Sequence, residues 1–273
     1  MSVQARSNNV STFVAEWEEW HHKVESRLAD PHGFLAITSL HWLTPELQRF
    51  DDAAGSWSTG EDGVTVLLEE GEELIINGEP ARGRHPFGTI PERGGVNATW
   101  GDAVLEVAKR GGHDILRPRH PNNPLRLAYR GTPAYRPDPG WRVSGRYVPF
   151  EQPRPTSVGA AVEGLEHVYD APGRVEFELD GRALSLTAFP GYSPGKLAVL
   201  FTDATSGETT YGPVRTLSIE EPGPDGSVIL DFNRAVNLPC AYTDLATCPL
   251  PPVENRLPVA IEAGEKIPHE RSA

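Results

Sequence analysis

The residue types best suited to chemistry are concentrated in one proline-rich segment near the C-terminal end of the sequence, residues 228–266. This segment contains both cysteines of the chain, Cys240 and Cys248, which are separated by the seven residues 241–247. Zinc sites usually pair cysteines about two to four residues apart, so we predict no metal site here. Three roles for the two thiols remain open. They could be structural, as packed apolar residues or as a permanent bridge; they could form a reversible disulfide; or one of them could be a catalytic nucleophile.

A second group of residues, in and beside the same segment, could recognise a small charged molecule. Guanidinium groups bind carboxylates and phosphates through two parallel hydrogen bonds, and prolines on both sides of residues 254–256 would hold that turn in place. The alternative is structural, because the same polar groups could satisfy the backbone of an irregular segment and pair with one another. The predicted ligand-binding residues are Arg215, Asn233, Glu254, Asn255, Arg256 and Tyr211.

The proline-rich segment is expected to be ordered but irregular. Its prolines exclude a central strand, and two thiols are unusual for a surface tail. We therefore predict a strap that crosses the C-terminal part of the molecule. If the strap closes over the open end of a sheet, Arg215 and Arg256 could face one cavity. We expect Asp203, Thr205 and Tyr211 to cap a hairpin turn beside it.

Length and composition indicate an ordinary globular protein with many turns. The chain has 273 residues, 38% of them hydrophobic and 23% charged, with 27 glycines and 26 prolines. The formal net charge of −13 disfavours nucleic acid and anionic membranes as partners, and would favour a small anion over a polyanion at any local positive pocket. No apolar run approaches about 18 residues, and the N-terminus lacks an apolar leader, so we predict a cytoplasmic protein.

The N-terminal region predicts helices. Aromatic and aliphatic residues recur every three or four positions over residues 12–29, which places them on one helix face, and residues 34–43 are expected to form a second short helix. Four histidines lie in this region without the spacing of a metal-binding helix, so we interpret them as structural or solvated. They are His21, His22, His32 and His41.

The rest of the chain predicts short antiparallel strands in two groups. Asn77-Gly78 and Asp180-Gly181 each mark a two-residue hairpin turn, and the proline- and arginine-rich stretch between them predicts that the hairpins lie in different sheets. The predicted fold is mainly β, with N-terminal helices, a small antiparallel sandwich-like unit, and a curled sheet or barrel closed by the strap. The predicted segments are residues 1–45, 46–117 and 118–273.

The sequence also resembles a known family. DATSGETTYGPVR at 203–215 and the long run ILDFNRAVNLPCAYTDLATCPLPPVENRLPVAIEAGEK at 229–266 are similar to a bacterial family of unknown function numbered 1684. The resemblance extends over about residues 113–266. Leu238 and Val236 depart from the family, which often has proline and an aromatic residue at these positions. The resemblance implies a fold class and the location of a site but no established activity.

The favoured function is the binding of a small anionic molecule in the C-terminal β domain. One alternative is an enzyme that uses the region of Cys240 and Cys248, and another is a structural or protein-interaction module without a ligand. Motifs of dinucleotide-binding, phosphate-binding, metalloprotease and serine hydrolase sites are missing from the sequence. The sequence identifies no catalytic residue, no cofactor and no oligomeric state.

Overall fold

The computed structural model describes residues 3–271, and for residues 3–10 and residue 270 it describes the backbone alone. The described chain forms two compact units: unit 1 holds residues up to 25 and from 131 onward, and unit 2 holds residues 26–130. The predicted division into residues 1–45, 46–117 and 118–273 stays a prediction. The expectation of a mainly β protein with an N-terminal helix and antiparallel sheets is confirmed.

The first predicted helix is present, and the second is not. Helix α1 extends over Val3–Leu28, and in unit 1 its Trp17 is buried and donates from Nε1 to the Asn233 carbonyl at 2.6 Å. The helix predicted over 34–43 is wrong, because this stretch forms a 3-10 turn and a short strand that pairs with a later strand. A short apolar run fits either a buried strand or a helix, and here tertiary pairing decides between them.

Unit 2 consists of two antiparallel sheets and one short helix. The six-stranded sheet has the order β1-β10-β9-β8-β5-β6, and the four-stranded sheet has the order β2-β3-β4-β7. Both sheets contribute to one apolar core, in which Trp57 is fully buried. The elements are β1 (His41–Trp42), β2 (Gln48–Phe50), β3 (Ala53–Gly60), β4 (Gly63–Leu67), β5 (Leu74–Ile76), β6 (Glu79–Ala81), β7 (Arg84–Gly88), β8 (Gly95–Trp100), β9 (Ala103–Arg110), β10 (His113–Arg119) and α2 (Pro124–Ala128).

Unit 1 is built on one seven-stranded antiparallel sheet with the order β16-β11-β12-β13-β14-β15-β17. In the part of the chain that the structure describes, no pairing joins β15 or β17 to β16. The sheet is therefore open and is not a closed barrel, which was one of the two predicted forms. The strands are β11 (Arg142–Gly159), β12 (Glu166–Leu179), β13 (Arg182–Pro190), β14 (Leu197–Phe201), β15 (Arg215–Ile219), β16 (Ser227–Asp231) and β17 (Val236–Asn237).

The two hairpin turns are present where the sequence predicts them, and they lie in different sheets. Asn77 and Gly78 have φ of 52° and 82° and connect β5 to β6, while Asp180 and Gly181 have φ of 51° and 70° and connect β12 to β13. Asparagine, aspartate and glycine adopt these positive angles more readily than other residues, which explains the accuracy of this prediction.

After β17 the described chain runs to residue 271 through short 3-10 turns and isolated bridges. The turns are Pro239–Ala241, Val253–Asn255 and His269–Arg271. Across residues 3–271, every helix is too short or too polar to cross a membrane.

Candidate functional site

Arg215 is the most completely buried charged residue of the predicted site. Its side chain has 0% exposure, and Nη2 donates to Asp203 Oδ2 at 2.5 Å and to the Ile261 carbonyl at 3.1 Å. Nη1 donates to the Ala263 carbonyl at 2.5 Å. Burial lowers the pKa of Arg215, and the Asp203 carboxylate opposes that shift. The guanidinium thus fastens the C-terminal segment to strand β15.

Asp203 also orders the turn that precedes β15. Its Oδ1 accepts hydrogen bonds from the backbone nitrogen and the hydroxyl of Thr205, at 2.7 and 2.6 Å. The predicted capping role is confirmed for Asp203, and the Thr205 side chain bonds to the side chains of Asp203 and Thr210 in the same turn. Tyr211 has a different partner, because its hydroxyl donates to the Cys240 carbonyl at 2.8 Å.

The Glu254-Asn255-Arg256 turn is attached to the sheet mainly through its central residue. Asn255 is fully buried, accepts from the Thr187 nitrogen at 2.7 Å, and donates to the carbonyls of Thr187 and Leu200 at 2.9 and 2.8 Å. Glu254 accepts from the Thr187 hydroxyl at 3.1 Å, and Arg256 is exposed. Because the Arg215 side chain is wholly buried, Arg215 and Arg256 do not share an open cavity.

Asn233 connects the predicted residues to a cleft that the sequence did not predict. Its amide exchanges two hydrogen bonds with the backbone of Asp138, at 2.8 and 2.9 Å, and donates to Asp231 Oδ1 at 2.8 Å. Asn233 therefore holds the Asp231 carboxylate in place at the edge of this cleft.

The cleft lies in unit 1 and has a volume of about 190 Å³. Helix α1 contributes residues three and four positions apart, which lie on one helix face. Strands β15 and β16, near the two ends of the strand order, border the same space. The lining residues are Phe13, Glu16, Trp17, Arg142, Ser218, Glu220, Ile229, Asp231 and Arg234.

Two half-exposed arginines converge on one carboxylate in the cleft. Arg142 Nε lies 3.6 Å and Arg234 Nε 3.7 Å from Asp231 Oδ2, and the two side chains are 51% and 43% exposed. The Arg234 guanidinium also lies over the Trp20 ring, 5.1 Å from its centroid. This grouping offers cationic hydrogen-bond donors beside the indole of Trp17.

Cys240 and Cys248 are close together, as predicted from the constrained segment between them. Both are thiols, buried to 3% and 7% exposure, and the Cys240 nitrogen donates to Cys248 Sγ at 3.3 Å. They belong to an apolar cluster that includes Val158 and Phe189. This environment agrees with the structural alternative and also permits a reversible bridge.

Ser39, His41 and Asp52 in unit 2 resemble a catalytic triad in composition only. Ser39 Oγ and Asp52 Oδ1 both lie 2.8 Å from the same ring nitrogen, His41 Nε2. A Ser-His-Asp triad places the acid and the nucleophile on different ring nitrogens. Among residues 3–271 there is also no group of three or more His, Cys, Asp and Glu side chains that could hold a metal ion.

The structure places the predicted ligand-binding residues mainly in structural roles, and their contact with a ligand stays a prediction. Sequence reasoning missed the cleft because its walls come from the helix, residue 142, residues 218–220 and residues 229–234. The helical spacing of Phe13 and Trp17 was the one available signal, and it indicates burial without revealing what lies opposite.

Comparisons with known proteins give a family but no activity. A solution NMR structure of an uncharacterized protein from Haloarcula marismortui is 33% identical, covers 52% of this chain and 78% of that chain, and has a TM-score of 0.44. No curated protein matches the chain. The model of a family described as protein of unknown function, DUF1684, matches residues 127–266, which is half of the sequence. The chain therefore belongs to the DUF1684 family.

Proposed function

We propose that unit 1 binds a small organic anion with an apolar group, in the cleft between α1 and strands β15 and β16. The pair of arginines at Asp231 carries this proposal. Their Nε atoms lie 3.6 and 3.7 Å from Asp231 Oδ2, distances that allow attraction but exceed those of hydrogen bonds. Donors of Arg142 and Arg234 are thus available to a carboxylate, which guanidinium groups bind through paired hydrogen bonds.

Three carboxylates also line the cleft, and they are distributed differently from the two arginines. Asp231 supplies one negative charge to two arginines. Glu220 has a separate partner, because Lys196 Nζ lies 2.8 Å from its carboxylate. Glu16 is exposed on the surface of α1. The positive charge of the lining is therefore concentrated at the end of the cleft where Arg142 and Arg234 meet at Asp231.

The size and the walls of the cleft suit a small amphipathic molecule. Cavities of about 150 Å³ accommodate benzene, so a volume of about 190 Å³ suits one ring or a short chain with a carboxylate. Phe13, Trp17 and Ile229 provide apolar surface for that body. The proposal keeps the predicted anionic ligand but places it at Arg142 and Arg234.

Benzoate and benzamide provide the test, because they share a ring and differ in charge. Isothermal titration of the full chain is expected to show binding of benzoate and much weaker binding of benzamide. Added salt should weaken benzoate binding, since half-exposed charges are screened. Equal behaviour of the two compounds would refute an anion site.

Variants of the two arginines locate the site. Arg142→Gln and Arg234→Gln should each weaken benzoate binding by about tenfold, because each removes a charge-assisted hydrogen bond. Arg182→Gln is the matched control, since Arg182 is an exposed arginine of β13 that does not line the cleft. If Arg142→Gln and Arg182→Gln bind benzoate equally well, the proposed location is wrong.

A further inference from the structure

The two cysteines form a paired site that is separate from the cleft. They lie in an apolar cluster of unit 1 to which none of the lining residues of the cleft belongs. The Cys240 nitrogen donates to Cys248 Sγ at 3.3 Å. Because a cysteine sulfur is only three bonds from its own backbone nitrogen, both sulfurs of the pair lie beside the same N–H group.

The surroundings of Cys240 favour its thiolate in spite of burial. A hydrogen bond with the Cys248 thiol lowers the pKa of Cys240, burial opposes the shift, and Tyr211 and Arg271 lower it further. The pKa of Tyr211 is raised by burial and by the neighbouring Cys240, so its hydroxyl remains a donor. Thiolates rather than thiols are the nucleophiles in cysteine chemistry.

We propose that Cys240 and Cys248 are a redox-active pair that closes to an intramolecular disulfide when Cys240 reacts with a hydroperoxide. The geometry carries this inference, because both sulfurs lie beside the Cys240 N–H group in the folded chain. Pro239 precedes Cys240 and Pro249 follows Cys248, and these rings restrict the backbone on both sides of the pair. The bridge therefore needs little rearrangement of the segment.

The reaction proceeds in two balanced steps. The Cys240 sulfur attacks one oxygen of hydrogen peroxide and the O–O bond breaks, which gives a sulfenic acid and, with the thiol proton, one water. The Cys248 sulfur then attacks the Cys240 sulfur, the S–O bond breaks, and hydroxide leaves with the Cys248 proton as a second water. Two thiols and one peroxide thus become one disulfide and two waters. A small dithiol reverses the bridge by two exchange steps.

Access to the buried pair is compatible with a small oxidant. Tyr211 is only partly buried and Arg271 is exposed, and both border Cys240 through its carbonyl oxygen, at 2.8 and 3.4 Å. Hydrogen peroxide is small enough to reach the two cysteines through a slight local opening of the folded chain. Larger thiol reagents should react much more slowly with the folded chain.

The test is peroxide treatment of the full chain, followed by denaturation, alkylation and mass spectrometry. The treated protein should lose the mass of two hydrogen atoms and both alkylation sites, and a peptide should contain Cys240 linked to Cys248. A dithiol should restore both sites. If both thiols stay open to alkylation, or if Cys240 is overoxidised without a bridge, the proposal is wrong.

Variants separate the roles of the two sulfurs. Cys248→Ser should accumulate a sulfenic acid at Cys240, which dimedone traps when the oxidised chain is denatured in its presence. Cys240→Ser, treated in the same way, should leave Cys248 open to alkylation and give no dimedone adduct. Tyr211→Phe should move the pH profile of Cys240 alkylation to higher pH, because a hydrogen-bond donor near the thiolate is removed. If Cys248→Ser unfolds, dimedone present while the partly oxidised wild-type chain is denatured should still trap Cys240. An adduct at Cys248 instead would contradict the assigned order.

Discussion

Each unit buries a centre of arginine and carboxylate, and the two centres have opposite composition. In unit 1 a single arginine, Arg215, lies among the Asp203 carboxylate and the carbonyls of Ile261 and Ala263. In unit 2 a single carboxylate, Glu106, lies among three guanidiniums. The first centre is electrically neutral as a pair, whereas the second has an excess of positive charge.

The carboxylate centre of unit 2 is formed by neighbouring strands. Arg110 and Arg117 lie 2.9 and 2.8 Å from Glu106, and Arg119 also contacts it. Burial raises the pKa of Glu106, but Arg117 and Arg119 outweigh burial and lower the pKa below its ordinary value. All three arginines lie within 13 residues of Glu106 along the chain.

The two centres therefore differ in what they organise. Arg215 bonds to carbonyls 46 and 48 residues further along the chain, so it fastens an irregular segment that lacks a strand ladder of its own. Glu106 joins side chains of strands β9 and β10, whose backbones already pair. The arginine replaces missing secondary structure, and the carboxylate neutralises charge on existing strands. Loss of the Arg215 side chain should thus lower the unfolding free energy more than loss of the Glu106 carboxylate.

Arg215→Met is expected to have the largest effect. It leaves Asp203 buried without a counter-charge and removes the donors from the C-terminal segment, so unfolding in urea should show a loss of about 3–5 kcal/mol. Arg182→Met, at an exposed position of unit 1, should be nearly neutral. The double variant Asp203→Asn with Arg215→Met should be less damaged than Arg215→Met alone. A loss below about 1 kcal/mol for Arg215→Met would remove the proposed difference between the centres.

Glu106→Gln is expected to have an intermediate effect that depends on pH. The pKa of Glu106 is lower in the folded than in the unfolded chain, so the stabilisation is complete above about pH 4.5 and is lost as pH falls through the lowered native value. Near neutral pH the variant should lose about 2 kcal/mol of unfolding free energy, because two of the three arginines are partly exposed. The difference in unfolding free energy between the wild-type chain and Glu106→Gln should become smaller in acid.

The control for this experiment is Glu79→Gln, at an exposed position of β6. Its unfolding free energy should follow that of the wild-type chain at every pH. A difference between wild type and Glu106→Gln that stays constant from about pH 7 to pH 3 would show that the carboxylate charge is not the stabilising feature.

Arg110→Ala is expected to have the smallest effect. Glu106 keeps Arg117 and Arg119, so the loss should be about 1 kcal/mol, mostly from the hydrogen bonds of Arg110 to the carbonyls of Gly94 and Lys109. Thermal and urea unfolding measure this loss. Arg82→Ala removes an exposed arginine that contacts Glu73, and it should leave the unfolding free energy almost unchanged. If Arg110→Ala costs as much as Glu106→Gln, the three arginines act as one unit.

Local chemistry explains which parts of the fold could be predicted. The turns at residues 77–78 and 180–181 were predictable because their residues adopt positive φ, and helix α1 because its apolar residues share one face. The strand β1 within residues 34–43 could not be predicted, since this part of a short apolar run becomes a strand only through pairing with β10. Pairing partners are not encoded in any short window of sequence.

By itself, the sequence determined the family, the antiparallel β class, the irregular proline-rich segment and the proximity of Cys240 and Cys248. Only the tertiary structure decided the role of each charge. Arg215 has the residue type of a ligand-binding group, yet its fully buried side chain is held by Asp203. No pattern in the sequence marks Arg142 as a site residue, yet it lies half-exposed in a cleft beside Arg234. The physical reason is that electrostatic interactions depend on distance and burial, which arise when distant segments pack together.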